Sequence, residues 1–535
     1  MCLADGARLR TFALQPESRH DKAMLSGALA QTFLLLEEQV TEMQLLREQL
    51  AVANRQLYGT SSEKKAKSLP EEEPEPDQDT VSEKDKAKEE TEDALANADS
   101  NVVPITSKGR KTLPPQLPRI RKEYHLPADG TCPRCQTQGG LRFLPPEITE
   151  QMIVIPAQYQ VIQHVRDKGV CRCCKAFSTA AMPKQMVEGS SYGSPSFLAY
   201  IACNKFQLGL PYFREEKLFR QSHVQLNRTT MANLMNTCSD RLVALWLLMK
   251  DELLSQASIH ADETTIQVLK EELRSPETKS FMWLYCSAVN AAKPVILFEY
   301  QETRAGCHPR DFLAGFTGHL QTDGYGAYDL VKGVTRLGCM AHMRRGFDKA
   351  LDAIPKDKRP QSRAAWMIDK IASLYKVEKD FTKATPEERK QARQQFSLPV
   401  MNDIKAWLDQ HKKTVLPKCL LGKAIIYALN QWDSLLVYLS HGWLAIDNNI
   451  AERAIKDLVL GRKAWLFADQ PEGADTIATM HSVVQTAVAN GLDPYRYLCH
   501  VFEIMPTLKT KEELKQLLPW NINFKVPTIV SELAA

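Results

Sequence analysis

At 535 residues the chain exceeds what one hydrophobic core serves, and a hydrophobic fraction of 44% gives several domains the apolar material to form. With 68 Lys and Arg against 64 Asp and Glu, the formal net charge of +4 excludes a uniformly basic coat, so contact with phosphates must come from local patches. The first ten residues lack the apolar stretch of a signal peptide, and the longest apolar run, LVALWLLM at 242–249, is too short to span a bilayer, which predicts a cytoplasmic protein.

Over 21–58 a seven-residue repeat carries Leu29, Leu36, Met43, Leu50 and Leu57, with Phe33 and Val40 in the complementary seam, continued by Arg47 and Asn54. This pattern predicts a coiled coil through which chains self-associate; an amphipathic helix packed on its own domain is the other reading. Residues 59–107, with EEEPEPDQDT and almost no aromatics, cannot bury enough apolar area to offset chain ordering and predict an acidic disordered linker. The charge reverses over 108–125, within SKGRKTLPPQLPRIRKEYH, a basic arm suited either to phosphates or simply to solvent.

Thirteen cysteines in a reducing compartment are read as metal ligands before disulfides. Within 126–182, Cys132 and Cys135 are spaced C-x2-C, and Cys171 and Cys174 repeat the spacing after alternating residues (Met152, Val154; Tyr159, Val161) that suggest strands. Two such knuckles offer four thiolates to a structural Zn2+, with Cys173 competing with Cys171 as a ligand and buried free thiols as the alternative. Residues 190–250 read as helical. A break near Ser222 and His223 and a cap at Asn227 fit either a helix-turn-helix, with Arg228 and Thr229 opening its second helix, or an ordinary helical hairpin.

From 256 the pattern turns to short apolar runs: SIHADETTIQVL, FMWLYCSAVN, PVILFEY, a helical HPRDFLAGF, then GHLQTDG and VTRLGCMAHM. This order predicts an α/β domain over 251–346, interrupted by a helical insertion at 347–436 and resumed over 437–490. Residues 491–535 form a C-terminal segment. Asp262 lies within the first strand and Asp323 ends the fourth, so adjacent parallel strands would bring both carboxylates to one sheet edge. In AIDNNIAERAIK, with Asp447 as cap, Ile450, Ala451, Ala454, Ile455 and Leu458 form a packing stripe, while Asn448, Asn449, Glu452 and Lys456 share another face. Glu452 can then add a third carboxylate for hard divalent ions; a solvated polar face is the plainer reading.

Residues RQLYGTSSEK, the double C-x2-C segment, HADET, LQTDGYGAYD, GCMAHMRRGF, IDNNIAERAIKDLVLGRKAWLF and LLPWNI make the whole chain resemble the large transposase of the insertion sequence 66 family. The resemblance implies a multidomain α/β protein. Its ribonuclease-H-like catalytic core with a helical insertion would be preceded by the coiled coil, the zinc-binding module and a helical DNA-binding region. It implies a DDE triad on Asp262, Asp323 and Glu452 holding two Mg2+ ions, in such sites roughly 3.5 to 4 Å apart. The implied chemistry is phosphodiester hydrolysis at element ends followed by 3′-hydroxyl strand transfer into target DNA. Arg228, Arg344, Arg345, Arg453, Lys456, Arg462 and Lys463 are the corresponding DNA contacts. Cys339 and His342, spaced C-x2-H, read as packing or local positioning rather than a metal pair. Small accessory proteins of the same element and a nucleoid location also follow from the resemblance, and the coiled coil implies a homo-oligomer. A DNA-binding regulator and a ribonuclease-H-type nuclease without strand transfer are the alternatives.

Overall fold

The computed structural model describes residues 157–289 and 291–524, together with 119–125, 148–154 and the single positions Met43, Leu46, Leu50, Arg134, Thr137 and Gln138. The chain divides into two compact units, one comprising Met1–Gly59 with His164–Asn523 and the other Thr60–Gln163 with Phe524–Ala535. Of the heptad positions, Met43 and Leu50 are helical and exposed, whereas Leu29, Phe33, Leu36, Val40, Arg47, Asn54 and Leu57 lie outside the described residues, as does the acidic segment.

In the second unit Arg119 donates through Nε to Glu150 Oε1 at 3.0 Å. Residues 148–154 and 157–163 carry no strand and are largely exposed, which corrects the expectation raised by their alternation. Alternation fits a pleat, but a strand also needs a neighbouring backbone for its N–H and C=O groups.

From His164 onward, the first unit opens with a short hairpin, β1 (Lys168–Val170) and β2 (Phe177–Thr179), antiparallel around the CRCC turn. Three helices follow: α1 (Pro195–Phe206), α2 (Tyr212–Gln221) and α3 (Arg228–Leu254). Asn227 caps α3, its side chain accepting from Thr230 N at 2.8 Å, and His223 turns the chain before it with φ of 62°.

A five-stranded mixed sheet follows, built from β3 (Ser258–Gln267), β4 (Lys279–Ser287), β5 (Ile296–Gln301), β6 (His319–Gln321) and β7 (Thr335–Leu337). The spatial order is β5-β4-β3-β6-β7; β4 is antiparallel to β3 and β5, while β3, β6 and β7 are parallel. A short helix, α4 (Cys307–Phe312), links β5 to β6, and a 3-10 turn (Gly326–Leu330) links β6 to β7.

Beyond β7 the chain is helical: α5 (Met340–Asp352), α6 (Arg363–Asp380), α7 (Pro386–Ala392), a π-helical turn (Arg393–Ser397), α8 (Leu398–Lys412), α9 (Leu420–Asn430) and α10 (Trp432–Leu436). These helices share a core in which Met343, Phe347, Ile371, Met401, Ile404 and Ala428 are buried. The chain then returns to the sheet through α11 (Asn449–Trp465) and α12 (Pro471–Ala489), and ends in α13 (Pro494–Ile504) and α14 (Lys511–Lys515).

Strand β5 is a sheet edge whose outward backbone groups need partners. α12 supplies them: Ile296 N donates to Thr486 Oγ1 at 3.0 Å and Phe298 N to Ser482 Oγ at 2.7 Å. At the other end of α11, Ala468 N donates to Gln267 O at 2.9 Å, extending the line of β3. No helix among the described residues is long and apolar enough to cross a membrane.

Candidate active site

Strand β3, buried continuously from Ser258 to Glu263, places Asp262 and Glu263 at the middle of the sheet. The parallel register pairs Ile259 with Leu320 and His260 with Gln321. Continued by two residues, the same row carries Asp262 on one strand and Asp323 on the other. Asp323 is thus just past the end of β6 rather than its last residue, at the C-terminal edge where parallel strands of α/β sheets present functional groups.

The loop carrying Asp323 is tied at several points. Tyr325 N donates to Asp323 Oδ1 at 2.9 Å, Tyr325 Oη to Arg304 O at 2.7 Å, and Arg336 Nη2 to Thr322 Oγ1 at 2.7 Å. Glu263 anchors the network: Tyr328 Oη donates to it at 2.6 Å and Arg304 Nε at 2.8 Å, while the Arg304 guanidinium lies 3.7 Å from the Tyr325 ring centre. Burial pushes the Glu263 carboxyl above its ordinary range, and the charge of Asp323 adds to this, with Tyr328 and Arg304 opposing. Gly324 is required here, because a Cβ at that position would meet Tyr427 Cε2 of α9 at 2.7 Å.

Glu452 lies in the first turn of α11. The helix starts at Asn449, so Asn448 and not Asp447 is its N-cap, a correction to the sequence expectation. Asp447 still accepts from Asn449 N at 3.1 Å and from Tyr375 Oη at 2.8 Å, and burial raises its carboxyl. Asn448 is buried and faces inward: Nδ2 donates to Ala261 O at 2.9 Å, Oδ1 lies 2.9 Å from His260 Nδ1, and its backbone N donates to Cys339 Sγ at 3.2 Å. Because Nδ2 is the donor to Ala261, Oδ1 is the acceptor, and His260 carries its proton on Nδ1. Burial lowers the pKa of that ring to about 4, so His260 is neutral. Glu452 lies four residues after Asn448 and therefore one turn along the same face.

The surroundings of Glu452 are cationic. Arg345 Nη2 is 3.2 Å from Oε2, His342 Nδ1 is 3.5 Å from Oε1, and Arg345 Nη1 donates to His342 Nε2 at 3.1 Å. Cys339, His342 and Glu452 form the group of three ligand-type residues, among the described ones, whose donor atoms all fall within 4.8 Å of one another. Asp262, Asp323 and Glu452 do not form such a group.

The basic residues divide by environment. Arg228, Arg453 and Lys463 are exposed, while Arg344, Arg345, Lys456 and Arg462 are half-buried. Arg344 pairs with Asp348 at 3.6 Å. Arg462 donates to Thr264 Oγ1 at 3.1 Å and to Thr265 Oγ1 at 3.0 Å, fastening α11 to the end of β3.

In the cysteine module, Cys171, Cys173 and Cys174 are exposed, and Cys132 and Cys135 lie outside the described residues. The N–H groups of Cys174 and Cys173 hold the Cys171 thiol below its ordinary range, and Lys175 takes a left-handed φ of 57°. That turn suits Cys171 and Cys174 as a metal-binding knuckle.

Sequence reasoning did not single out His260, Glu263, Arg304, Tyr325, Tyr328 or Arg336. A signal was present: HADET puts a His two residues before the acid, on the same strand face, and DGYGAYD spaces two tyrosines around a tight turn.

Comparison with known proteins covers most of the chain. Residues 190–476 match the family described as "Transposase IS66 family", 482–520 the "IS66 C-terminal element", and 129–175, which includes all four C-x2-C cysteines, the "zinc-finger binding domain of transposase IS66". Residues 45–121 match a family described as "Transposase C of IS166 homeodomain". Three proteins of Sinorhizobium fredii are similar. Uncharacterized protein y4hP is 30% identical over 432 residues, 77% of this chain and 76% of its own. Uncharacterized protein y4jD is 31% identical over 431 residues, 76% of this chain and 81% of its own. Uncharacterized protein y4qI is 27% identical over 551 aligned positions, 97% of this chain and 96% of its own.

Proposed function

The chain belongs to the transposase IS66 family, and from that premise we propose that it is a DDE-type DNA transposase with a ribonuclease-H-like core. In this reading Asp262, Asp323 and Glu452 are the catalytic acids. The observation that carries it is the parallel register of β3 and β6, which sets Asp262 and Asp323 in one row, with Asn448 clasping α11 to β3 one turn before Glu452. The sheet order β5-β4-β3-β6-β7 supports a ribonuclease-H-like core. The match of 129–175 supports a structural Zn2+ held by Cys132, Cys135, Cys171 and Cys174.

The three acids offer only hard oxygen donors, the set Mg2+ prefers, and Asp262 and Asp323 in one row repel each other unless a cation intervenes. Asp262, Asp323 and Glu452 would hold two Mg2+ ions, which when bound activate the attacking water or 3′-hydroxyl and stabilise the leaving oxygen. The chain's own residues do the rest. Tyr328, Arg304 and Arg336 keep the Asp323 loop in one position, so the acid pays little ordering entropy when DNA arrives. Arg345 balances the charge of Glu452, and His342 turns Nδ1 toward it. Arg453 and Lys463, exposed on the helix that carries Glu452, are placed to neutralise phosphates, as are Arg344, Lys456 and, on α3, Arg228. Arg345 and Arg462 already serve internal bonds and would contact DNA only by giving these up. The heptads of 21–58 would pair two chains so that two sites act on two element ends, with small accessory proteins of the element assisting.

The test is incubation of the purified protein with Mg2+ and labelled element-end DNA in the presence of target DNA. Joined products are expected. Nicked ends without joining would replace the reading by a nuclease, and binding without cleavage by a regulator.

A further inference from the structure

The tightest cluster of ligand-type atoms in the described chain is not the set of three acids. It is Cys339, His342 and Glu452, with all three donor atoms within 4.8 Å of one another. Two elements build it. Cys339 is the residue before α5 and His342 lies in that helix's first turn, so the C-x2-H spacing turns both toward α11, which brings Glu452. Cys339 is fully buried, and its Sγ accepts a backbone N–H bond from Asn448 at 3.2 Å. The thiol sulfur is a weak acceptor for that N–H, and the same bond would support the sulfur as a metal ligand. His342 turns Nδ1 to Glu452 Oε1, 3.5 Å away.

We propose that Cys339, His342 and Glu452 form a binding site for a thiophilic divalent cation of the Zn2+ type, which takes Glu452 from the catalytic acids and so holds the enzyme inactive. The donor set is one sulfur, one imidazole nitrogen and one carboxylate oxygen, which Mg2+ disfavours and Zn2+ accepts, with a fourth position left for solvent. Side-chain rotation closes the cluster to ion–ligand distances of about 2.0–2.3 Å. Binding releases the Cys339 thiol proton to solvent.

The histidine has a consequence for its neighbour. In the structure Arg345 donates to His342 Nε2, so Nε2 is the acceptor and Nδ1 carries the proton. Coordination through Nδ1 moves that proton to Nε2, which can then no longer accept from a guanidinium. Ion binding therefore drives Arg345 off His342. The site itself stands on geometry alone, while the inhibitory half rests on Glu452 being catalytic.

The test uses the full-length protein with its C-x2-C module already carrying Zn2+, titrated with Co2+ while thiolate-to-cobalt absorption is followed. Wild type is expected to take up one Co2+ per chain more than Cys339→Ser, and Glu452→Gln to keep the thiolate band with affinity weakened about tenfold or more. Equal uptake by wild type and Cys339→Ser overturns the site. If Cys339→Ser does not fold, the Glu452→Gln comparison decides, and unchanged affinity overturns it. In Mg2+-supported cleavage of element-end DNA, added Zn2+ should inhibit wild type and inhibit Cys339→Ser several-fold less, whatever that variant's own rate. Equal fractional inhibition overturns the regulatory half. Wild-type cleavage by Glu452→Gln without added Zn2+ would instead overturn the catalytic reading and leave the cobalt result standing.

Discussion

The two ends of α11 are anchored by buried charges of opposite quality. The chain entering the helix is held by Arg393, which lies in the π-helical turn of the insertion and is 1% exposed. Its five N–H donors all find acceptors: Nε and Nη2 reach the Glu378 carboxylate at 2.8 and 2.6 Å, Nη1 reaches Tyr438 O and His441 O at 2.6 Å each, and Nη2 also reaches Leu444 O at 2.9 Å. The exit of the helix packs on Lys205 of α1, whose Nζ lies 5.0 Å from the Trp465 ring centre and 4.4 Å from that of Tyr212. Nearby Glu215 is completely buried; Lys205 and Asn204 offset part of its burial without a hydrogen bond of normal length to either carboxylate oxygen. Burial carries both groups to a pKa of about 8, Glu215 upward and Lys205 downward. A fully satisfied buried charge fixes geometry, while an under-satisfied one titrates. The fixed end is the one that carries Glu452.

The largest effect should fall at that fixed end. Glu452→Gln, like Asp262→Asn or Asp323→Asn, is expected to lower end cleavage by about 10^3-fold or more while end binding changes only a few fold. Lys463→Gln, at the other end of the same helix, should weaken binding a few fold on every DNA sequence and flatten its salt dependence. Equal losses of cleavage from both would abolish the functional distinction between the ends.

Arg393→Ala should cost about 3–5 kcal/mol of unfolding free energy in denaturant titration, because it strands Glu378 and three carbonyls. A loss below about 1 kcal/mol would show that the lead-in to α11 is held by packing instead. Gly209→Ala tests the exit side. Gly209 has φ of 69° and a Cβ there would stand 3.1 Å from Gly461 Cα, so a loss of about 1–3 kcal/mol is expected.

A further effect is a pH dependence. The folded pKa of Glu215 is raised, so the folded state holds a proton that the unfolded chain releases above its ordinary value of 4.5, and stability falls as pH rises from there to about 8. Lys205, lowered from 10.5, acts oppositely: the unfolded chain holds the extra proton between about 8 and 10.5, and stability rises across that window. Glu215→Gln should remove the falling limb and leave the rising one. Thermal melts from pH 5 to 10 read both, and an unaltered falling limb in the variant would clear Glu215 of the role.

Much of this arrangement was legible in the sequence. The apolar runs from SIHADETTIQVL to VTRLGCMAHM fall on β3, β4, β5, α4, β6 and the short β7, because consecutive β-branched and aromatic residues suit strands buried on both faces. GCMAHM was the exception within that series: it opens α5, since its small and unbranched residues suit a helix better than a strand. Of the stripe, Ala451, Ala454, Ile455 and Leu458 are buried as the helical period requires, while Ile450 is half-buried. What the sequence hid were polar groups turned inward. Asn448 reads as one of several surface amides until β3 lies beneath it, and Glu263 reads as a solvent-facing neighbour of Asp262 until Tyr328 and Arg304 close over it. Such roles come from contacts between segments far apart in the chain, which local periodicity does not encode.

Where the α1–α2 loop crosses α11, two backbones touch with no side chain between them, Gly209 against Gly461. Side chains cushion most helix contacts, because rotamers can yield before the main chain moves; here nothing can yield. From Gly461 to Glu452 is nine residues of continuous helix, about 13 Å of stiff rod. A side chain at Gly209 would therefore press on the main chain of that rod rather than on a rotamer that could swing aside.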